Sequence, residues 1–200
     1  MNFELFAGLV LFATASSITP GPNNLMLMAS GANFGFKRTL PHLLGVELGF
    51  TLLILSVGTG IGNLLEVYPA SLAALRVMCT LYIGYLAMRL ANTTSMAALT
   101  GSSAKPMTAT EAVLFQWVNP KAWAMALTSV SLFVPSPSFS AVLFVAFVFV
   151  AIGVPCVSAW TLLGEQLQKK LGNEARLRRF NAVMSLMLIA SVLPILKTGS

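Results

Sequence analysis

The stretch Thr19-Pro20-Gly21-Pro22-Asn23-Asn24 sits inside an apolar run that otherwise reads as a membrane helix. Its two prolines remove backbone donors, and each biases the residue before it away from helical geometry. Facing lipid, such a break would leave carbonyls unpaired at a cost of several kcal/mol each. It is tolerated only inside protein or against a water-filled cavity. Interrupted helices of this kind mark places where membrane proteins handle solutes, so the residues point first to transport.

Composition sets the fold class. The 200 residues are 56% hydrophobic and only 9% charged, against about 25% charged in soluble domains. Asp is absent and His occurs once. Such a chain cannot coat a soluble core, which leaves an all-α integral membrane protein embedded in a lipid bilayer. The net charge of +6 does not imply nucleic acid as a partner, because the basic residues cluster in short connectors beside apolar spans without aromatic interleaving. Metal-ligand spacing, a Gly-rich phosphate loop and a Ser-His-acid set are all missing, so neither an enzyme nor a metal or cofactor site is expected. Cys79 and Cys156 lie within apolar spans without C-x-x-C spacing and read as small buried hydrophobes. A transmembrane thiol or redox carrier using them is the alternative, and a non-transporting membrane subunit is a third reading. The first charge is Glu4 with no basic segment before it, so no cleaved signal peptide is expected.

Six stretches are long and apolar enough to cross a bilayer. They are Phe3 to Asn33, Leu40 to Gly62, Pro69 to Leu90, Glu111 to Val134, Phe139 to Leu163 and Phe180 to Leu196. The first contains the break and divides into half-helices Phe3–Ile18 and Asn23–Ala32. The connector Asn92–Thr110, rich in Thr, Ser, Ala and Gly, splits a single membrane domain into a first repeat over residues 1–91 and a second over 111–200. Three spans per half is an odd number, so the second half runs inverted. Asn119-Pro120-Lys121 interrupts span four as the Pro-Gly-Pro stretch interrupts span one. Inverted repeats with corresponding broken helices are the sequence pointer to a transporter site. Lys37, Arg38, Arg89, Lys105, Lys169, Lys170, Arg176, Arg178 and Arg179 gather in alternate connectors, whereas Asn63–Tyr68 carries only Glu66 and Pro135–Ser138 no charge. The positive-inside rule then puts the 92–110 connector in the cytoplasm and both termini in the periplasm, with Lys197 a minor dissent.

The candidate binding residues are Pro20, Gly21, Pro22, Asn23, Asn24, Asn119, Pro120 and Lys121. The carbonyls of Thr19 and Gly21 have no partner in a regular helix and suit an ammonium. The half-helix opening near Asn23 presents free N–H groups and the positive dipole end, which suit a carboxylate. Two amide side chains complete a setting for a zwitterion. The competing reading is a proline kink packed against a neighbour. Lys121 lies about ten residues into span four, about 15 Å deep. It is either a cation facing the substrate or a protein carboxylate, or it snorkels to the surface beside Trp117 and Trp123. Glu47 lies about seven residues into span two, opposite a small-residue face made by Gly45 and Gly49 with His42. A carboxyl there is hard to ionise, which suits it to carrying a proton; the other reading is a structural carboxyl paired to His42, Lys121 or Arg76. Gln116, Asn181 and Ser185 read as interhelical hydrogen-bonding groups.

The run through Asn24, continued by Asn33-Phe34-Gly35-Phe36-Lys37-Arg38-Thr39, resembles the signature of the LysE/RhtB amino-acid exporters, and Asn119-Pro120-Lys121 is similar to that family's second landmark. The resemblance covers essentially the whole chain. It implies efflux of amino acids or close derivatives across the bacterial cytoplasmic (inner) membrane, in exchange for protons. The coupling role of Glu47 rests on the physical argument alone. A neutral amino acid fits the scarcity of carboxyls, and the small-residue faces permit a homodimer.

Overall fold

The computed structural model of the chain describes residues 3–61, 69–92, 105–134, 138–171 and 173–191. Its regular structure is helical throughout these residues: α1 (Phe3–Ile18), α2 (Pro22–Phe34), α3 (Phe36–Ser56, running into a wider turn at Val57–Ile61), α4 (Pro69–Ala91), α5 (Ala109–Trp117), α6 (Pro120–Phe133), α7 (Phe139–Leu171) and α8 (Glu174–Ala190). The connector Asn63–Tyr68, residues 93–104 of the central connector, residues 135–137 and the end of the sixth stretch from residue 192 lie outside the described residues.

Local chemistry sets the boundaries. Prolines stop α1, and Pro22 then opens α2 at the position where a missing N–H costs nothing, giving a 50° bend between the two helices. Gly35, at φ 80°, reverses the chain in a single residue, so α3 begins at Phe36 rather than Leu40. Thr108 and Glu111 form a reciprocal capping box at the start of α5. Asn119 caps α6, its side-chain oxygen accepting from the Lys121 N–H at 3.2 Å. Asn173 caps α8 in the same way, so that helix starts at Glu174 and not at Phe180, and carries Arg176, Arg178 and Arg179 in its first turns. With 33 residues, α7 continues to Leu171, eight residues past the expected end.

Among the described residues three helices, within α3, α4 and α7, are long and apolar enough to cross a membrane, and the bent pair α1–α2 makes a fourth crossing if taken as one span. The expected fourth stretch is present as two short helices, α5 and α6, and the sixth as the 17-residue α8. The chain is therefore an all-helical, multi-pass membrane protein.

α7 is the central strut, packed against α1, α2 and α3; α3 also packs on α5, and α4 pairs with α8. Two hydrophobic cores result. One is built from Leu25, Leu43, Ile83, Leu86, Phe115 and Leu188 among others, toward the end of the bundle that holds Gly35. The second is built from Leu9, Phe50, Leu53, Trp123, Val145 and Phe149 among others, toward the end where α1 and α7 begin. A polar layer separates them.

Small residues set the closest crossings. A Cβ on Gly31 would strike the Thr161 carbonyl of α7, and one on Gly164 the Met28 carbonyl of α2. Gly45 and Gly49 lie against Ala109, Ala112, Val113 and Gln116 of α5. These glycines, on faces that permit a homodimer, meet neighbours within the chain itself.

Candidate functional site

The polar layer between the two cores encloses a cavity of about 450 Å³, counting its open mouth. Its walls come from both broken helix pairs and from α3 and α7. Ser16, Ser17, Gly21, Asn23 and Asn24 flank the first break; Asn119, Lys121, Ala122 and Met125 follow the second; Val46, Glu47 and Phe50 come from α3; Phe149 and Gly153 come from α7. Of the residues singled out in the sequence, Gly21, Asn23, Asn24, Asn119, Lys121 and Glu47 thus meet around one space. Pro20, Pro22 and Pro120 do not line it; they shape the breaks, with Pro22 and Pro120 opening α2 and α6.

The carbonyls released by the first break are taken up by side chains. The Lys121 ammonium donates to the Thr19 carbonyl at 2.7 Å and to the Thr19 hydroxyl at 2.9 Å. Asn24 donates to the carbonyls of Ser17 at 2.8 Å and Thr19 at 2.9 Å. The Trp160 indole N–H donates to the Ile18 carbonyl at 3.2 Å. The Gly21 carbonyl, expected to be left over, accepts the Leu25 N–H at 3.0 Å as the first bond of α2. The expectation that these carbonyls would meet a substrate ammonium is corrected accordingly: Lys121, Asn24 and Trp160 already fill three of them. A carbonyl left without a partner inside a bilayer costs far more than a side chain held in place to serve it.

Asn23 and Gln116 bond reciprocally, at 2.8 and 3.1 Å, tying the first turn of α2 to α5. A second amide pair, Asn33 with Asn181 at 2.8 and 3.0 Å, ties the end of α2 to α8. Ser185 donates to the Ala87 carbonyl at 2.7 Å. Gln116, Asn181 and Ser185 are therefore the interhelical hydrogen-bonding groups their positions suggested. The N–H groups of Asn23 and Asn24 open α2 without a side-chain cap, and Pro22 has none to offer.

Glu47 is 8% exposed and reaches the cavity. The Thr51 hydroxyl bonds its backbone carbonyl at 2.8 Å, not its carboxylate. Among the described residues no hydrogen bond or ion pair reaches that carboxylate; the ion pair found is Arg89–Glu111 at 3.6 Å, at the far end of α4. Pairing with His42, Lys121 or Arg76 is thus not what holds Glu47. The His42 ring is buried, and neither nitrogen has a partner among the described residues. Arg76 lies on α4 outside the cavity wall. Cys79 on α4 and Cys156 on α7 are free thiols.

The sequence reading missed Ser16, Ser17, Phe50, Phe149 and Gly153 as wall residues. The serines carried a signal, lying within three residues of the break. Phe50, Phe149 and Gly153 carried none, because nothing distinguishes them from other apolar positions until α3 and α7 are packed together.

A chamber bearing one cation and one carboxylate, set between two apolar cores of a helical membrane protein, defines a solute translocator rather than an enzyme. Comparison gives the family: residues 14–194 match the LysE type translocator family, and the chain belongs to it. It is 30% identical over 192 residues to the cysteine/O-acetylserine efflux protein of Escherichia coli O139:H28 (strain E24377A / ETEC), covering 94% of this chain and 96% of that one. The protein of the same description from Escherichia coli (strain K12) is 29% identical over the same shares. That of Shigella flexneri serotype 5b (strain 8401) is 30% identical over 89% of this chain and 90% of its own. No solved structure matches the chain.

Proposed function

We propose that this protein exports a small neutral amino acid, or a close derivative such as those named for its relatives, across the bacterial inner membrane in exchange for a proton. The observation that carries the reading is the pair Glu47 and Lys121: they share one cavity yet form no ion pair with each other. A zwitterion supplies the missing counter-charges. Its carboxylate meets Lys121 and the uncapped N–H groups of Asn23 and Asn24. Its ammonium meets Glu47. The side chain points toward Phe50, Phe149 and Met125.

Antiport follows from the surroundings of Glu47. A carboxylate between two apolar cores is costly unless neutralised, and either a proton or a substrate ammonium does so. The two exclude each other, so loading one releases the other. The six stretches act as two inverted three-helix repeats, 1–91 and 111–200, joined by a cytoplasmic connector at 92–110. In support, α1 and α2 pack on α7 as α5 and α6 pack on α3, while α3 meets α7 and α4 meets α8. The basic residues at the Gly35 end then face the cytoplasm and both termini the periplasm.

Counterflow in proteoliposomes under an imposed pH gradient tests the proposal, with cysteine and O-acetylserine as probes. Lys121→Ala is expected to slow flux at least tenfold. Glu47→Gln is expected to remove the response to the pH gradient. Full, pH-driven flux by both variants, with normal insertion, sinks the reading.

A further inference from the structure

Among the described glycines, Gly153 is the one whose missing side chain leaves room for a carboxyl group. Gly31, Gly45, Gly49 and Gly164 let helices touch, because the atoms their missing Cβ would strike belong to the backbone or apolar side chains of a neighbouring helix for the most part. Gly84 has nothing within 4 Å of the corresponding point. At Gly153 all three nearest atoms belong to one carboxyl group: Glu47 Oε2 at 2.6 Å, Oε1 at 2.8 Å and Cδ at 3.0 Å from where a Cβ would stand. Gly153 sits inside α7 without positive φ, so backbone geometry does not ask for glycine. A helix interior disfavours it relative to alanine. The space it leaves is filled by the carboxylate, which no hydrogen bond or ion pair reaches among the described residues.

The second ionisable group of the chamber is seated in a parallel way. A Cβ on Gly21 would stand 2.6 Å from Lys121 Cδ and 3.1 Å from its Nζ. Glu47 of the first half thus rests on a glycine of the second, and Lys121 of the second half rests on a glycine of the first.

We propose that Gly153 is a positioning residue, whose missing side chain lets the Glu47 carboxylate lie against α7 and face the cavity. An added methyl group pushes the carboxylate off its seat by roughly the 1 Å that separates a close charge-assisted hydrogen bond from a weak one. This rests on the transport reading for its effect on export, but the seat itself is tested without it.

The experiment is a size exchange. Gly153→Ala is expected to lower counterflow at least tenfold, and Gly84→Ala to leave it unchanged. The double variant Gly153→Ala/Glu47→Asp, which adds one carbon on α7 and removes one from α3, is expected to export several-fold faster than Gly153→Ala alone. A general packing defect at position 153 would not be relieved by shortening one carboxyl side chain. If Gly153→Ala fails to accumulate in membranes, the double variant is expected to accumulate; failure of both overturns the proposal. A second measurement is modification of Glu47 by the apolar reagent dicyclohexylcarbodiimide, followed by mass spectrometry of the purified protein. Its rate is expected to change several-fold in Gly153→Ala. Identical rates in both proteins, or a double variant no faster than Gly153→Ala while Glu47→Asp alone exports, overturn the assignment. A wild-type protein that moves no amino acid removes the transport reading and leaves the modification rates to decide on the seat.

Discussion

The two ends of the bundle are closed in different ways. Toward the Gly35 end, backbone meets backbone: Gly31 against Thr161 and Glu165, Gly164 against Met28 and Ala32, Gly45 against Ala109. Buried polar bonds reinforce these crossings, in the Asn33–Asn181 pair, the Ser30–Thr39 hydroxyl contact at 2.9 Å and the Ser185 bond to Ala87. Toward the opposite end, closure is by rings. Phe50 meets Phe149 at 5.3 Å, Phe149 meets Phe12 at 6.2 Å, and Phe12 meets Phe133 at 6.0 Å, one ring each from α3, α7, α1 and α6. Glycines there, Gly8 and Gly58, face side chains rather than backbone. Interlocked backbones cannot slide without collision, whereas rings part by rotation about χ angles. Two apolar cores of similar make-up therefore differ in what it takes to open them.

The largest expected effect comes from filling a backbone crossing. Gly31→Val or Gly164→Val drives side-chain carbons into a facing carbonyl and should cost about 3 kcal/mol or more. Either variant should fail to accumulate or should unfold well below the wild type in a thermal assay in detergent. Gly8→Ala is the matching change at the other end, where the nearest atom is the Phe133 ring at 3.3 Å. It should shift stability by no more than about 0.5 kcal/mol. Equal losses at both ends would erase the contrast.

Next in size is the amide pair. Asn33→Leu removes both bonds shared with Asn181 and should cost about 1–2 kcal/mol. The double variant Asn33→Leu/Asn181→Leu should lose less than the sum of the singles, because the two side chains act as a unit. Additive losses in a double-mutant cycle would mean that each amide contributes through other neighbours and that the pair is no bolt.

This contrast was legible in the sequence only in part, and the physics of each feature explains which part. Pro20 and Pro22 act locally, by deleting donors, so the end of α1 at Ile18 could be read directly. The same rule located the Asn119-Pro120 break. Gly45 and Gly49 were recognisable as a packing face by their spacing, but not the helix that would meet them. The start of α8 lies six residues before the apolar stretch read from the sequence, because charge marks where a span can begin while the Asn173 cap sets where the helix does. Partner choice was out of reach: Asn23 finds Gln116 across 93 positions, and Asn33 finds Asn181 across 148. Gly153 and the phenylalanines gain their meaning only when α3 and α7 pack, since an apolar run carries no mark of which residue will face a carboxylate. The wall residues Asn23, Asn24, Asn119, Lys121 and Glu47 were visible because polar groups within apolar spans are rare and each demands an explanation, and Gly21 because it lies in the proline break.

A modest change in stability should accompany the clearest change in access. Phe12→Leu keeps an apolar side chain of similar reach and should cost less than about 1.5 kcal/mol. It also removes one ring from the chain joining Phe133 to Phe149, one turn from the cavity residue Ser16. In a background with Cys79→Ser and Cys156→Ser, a Ser16→Cys probe reports whether water-borne reagents reach the chamber. Membrane-impermeant maleimide, applied to the face where α1 and α7 begin, should label this probe several-fold faster once Phe12 is leucine. Labelling from the Gly35 face should not change, because the glycine crossings there are untouched. Faster labelling from the Gly35 face alone, or none from either, would show that the rings do not control entry and that the two ends differ in composition without differing in function.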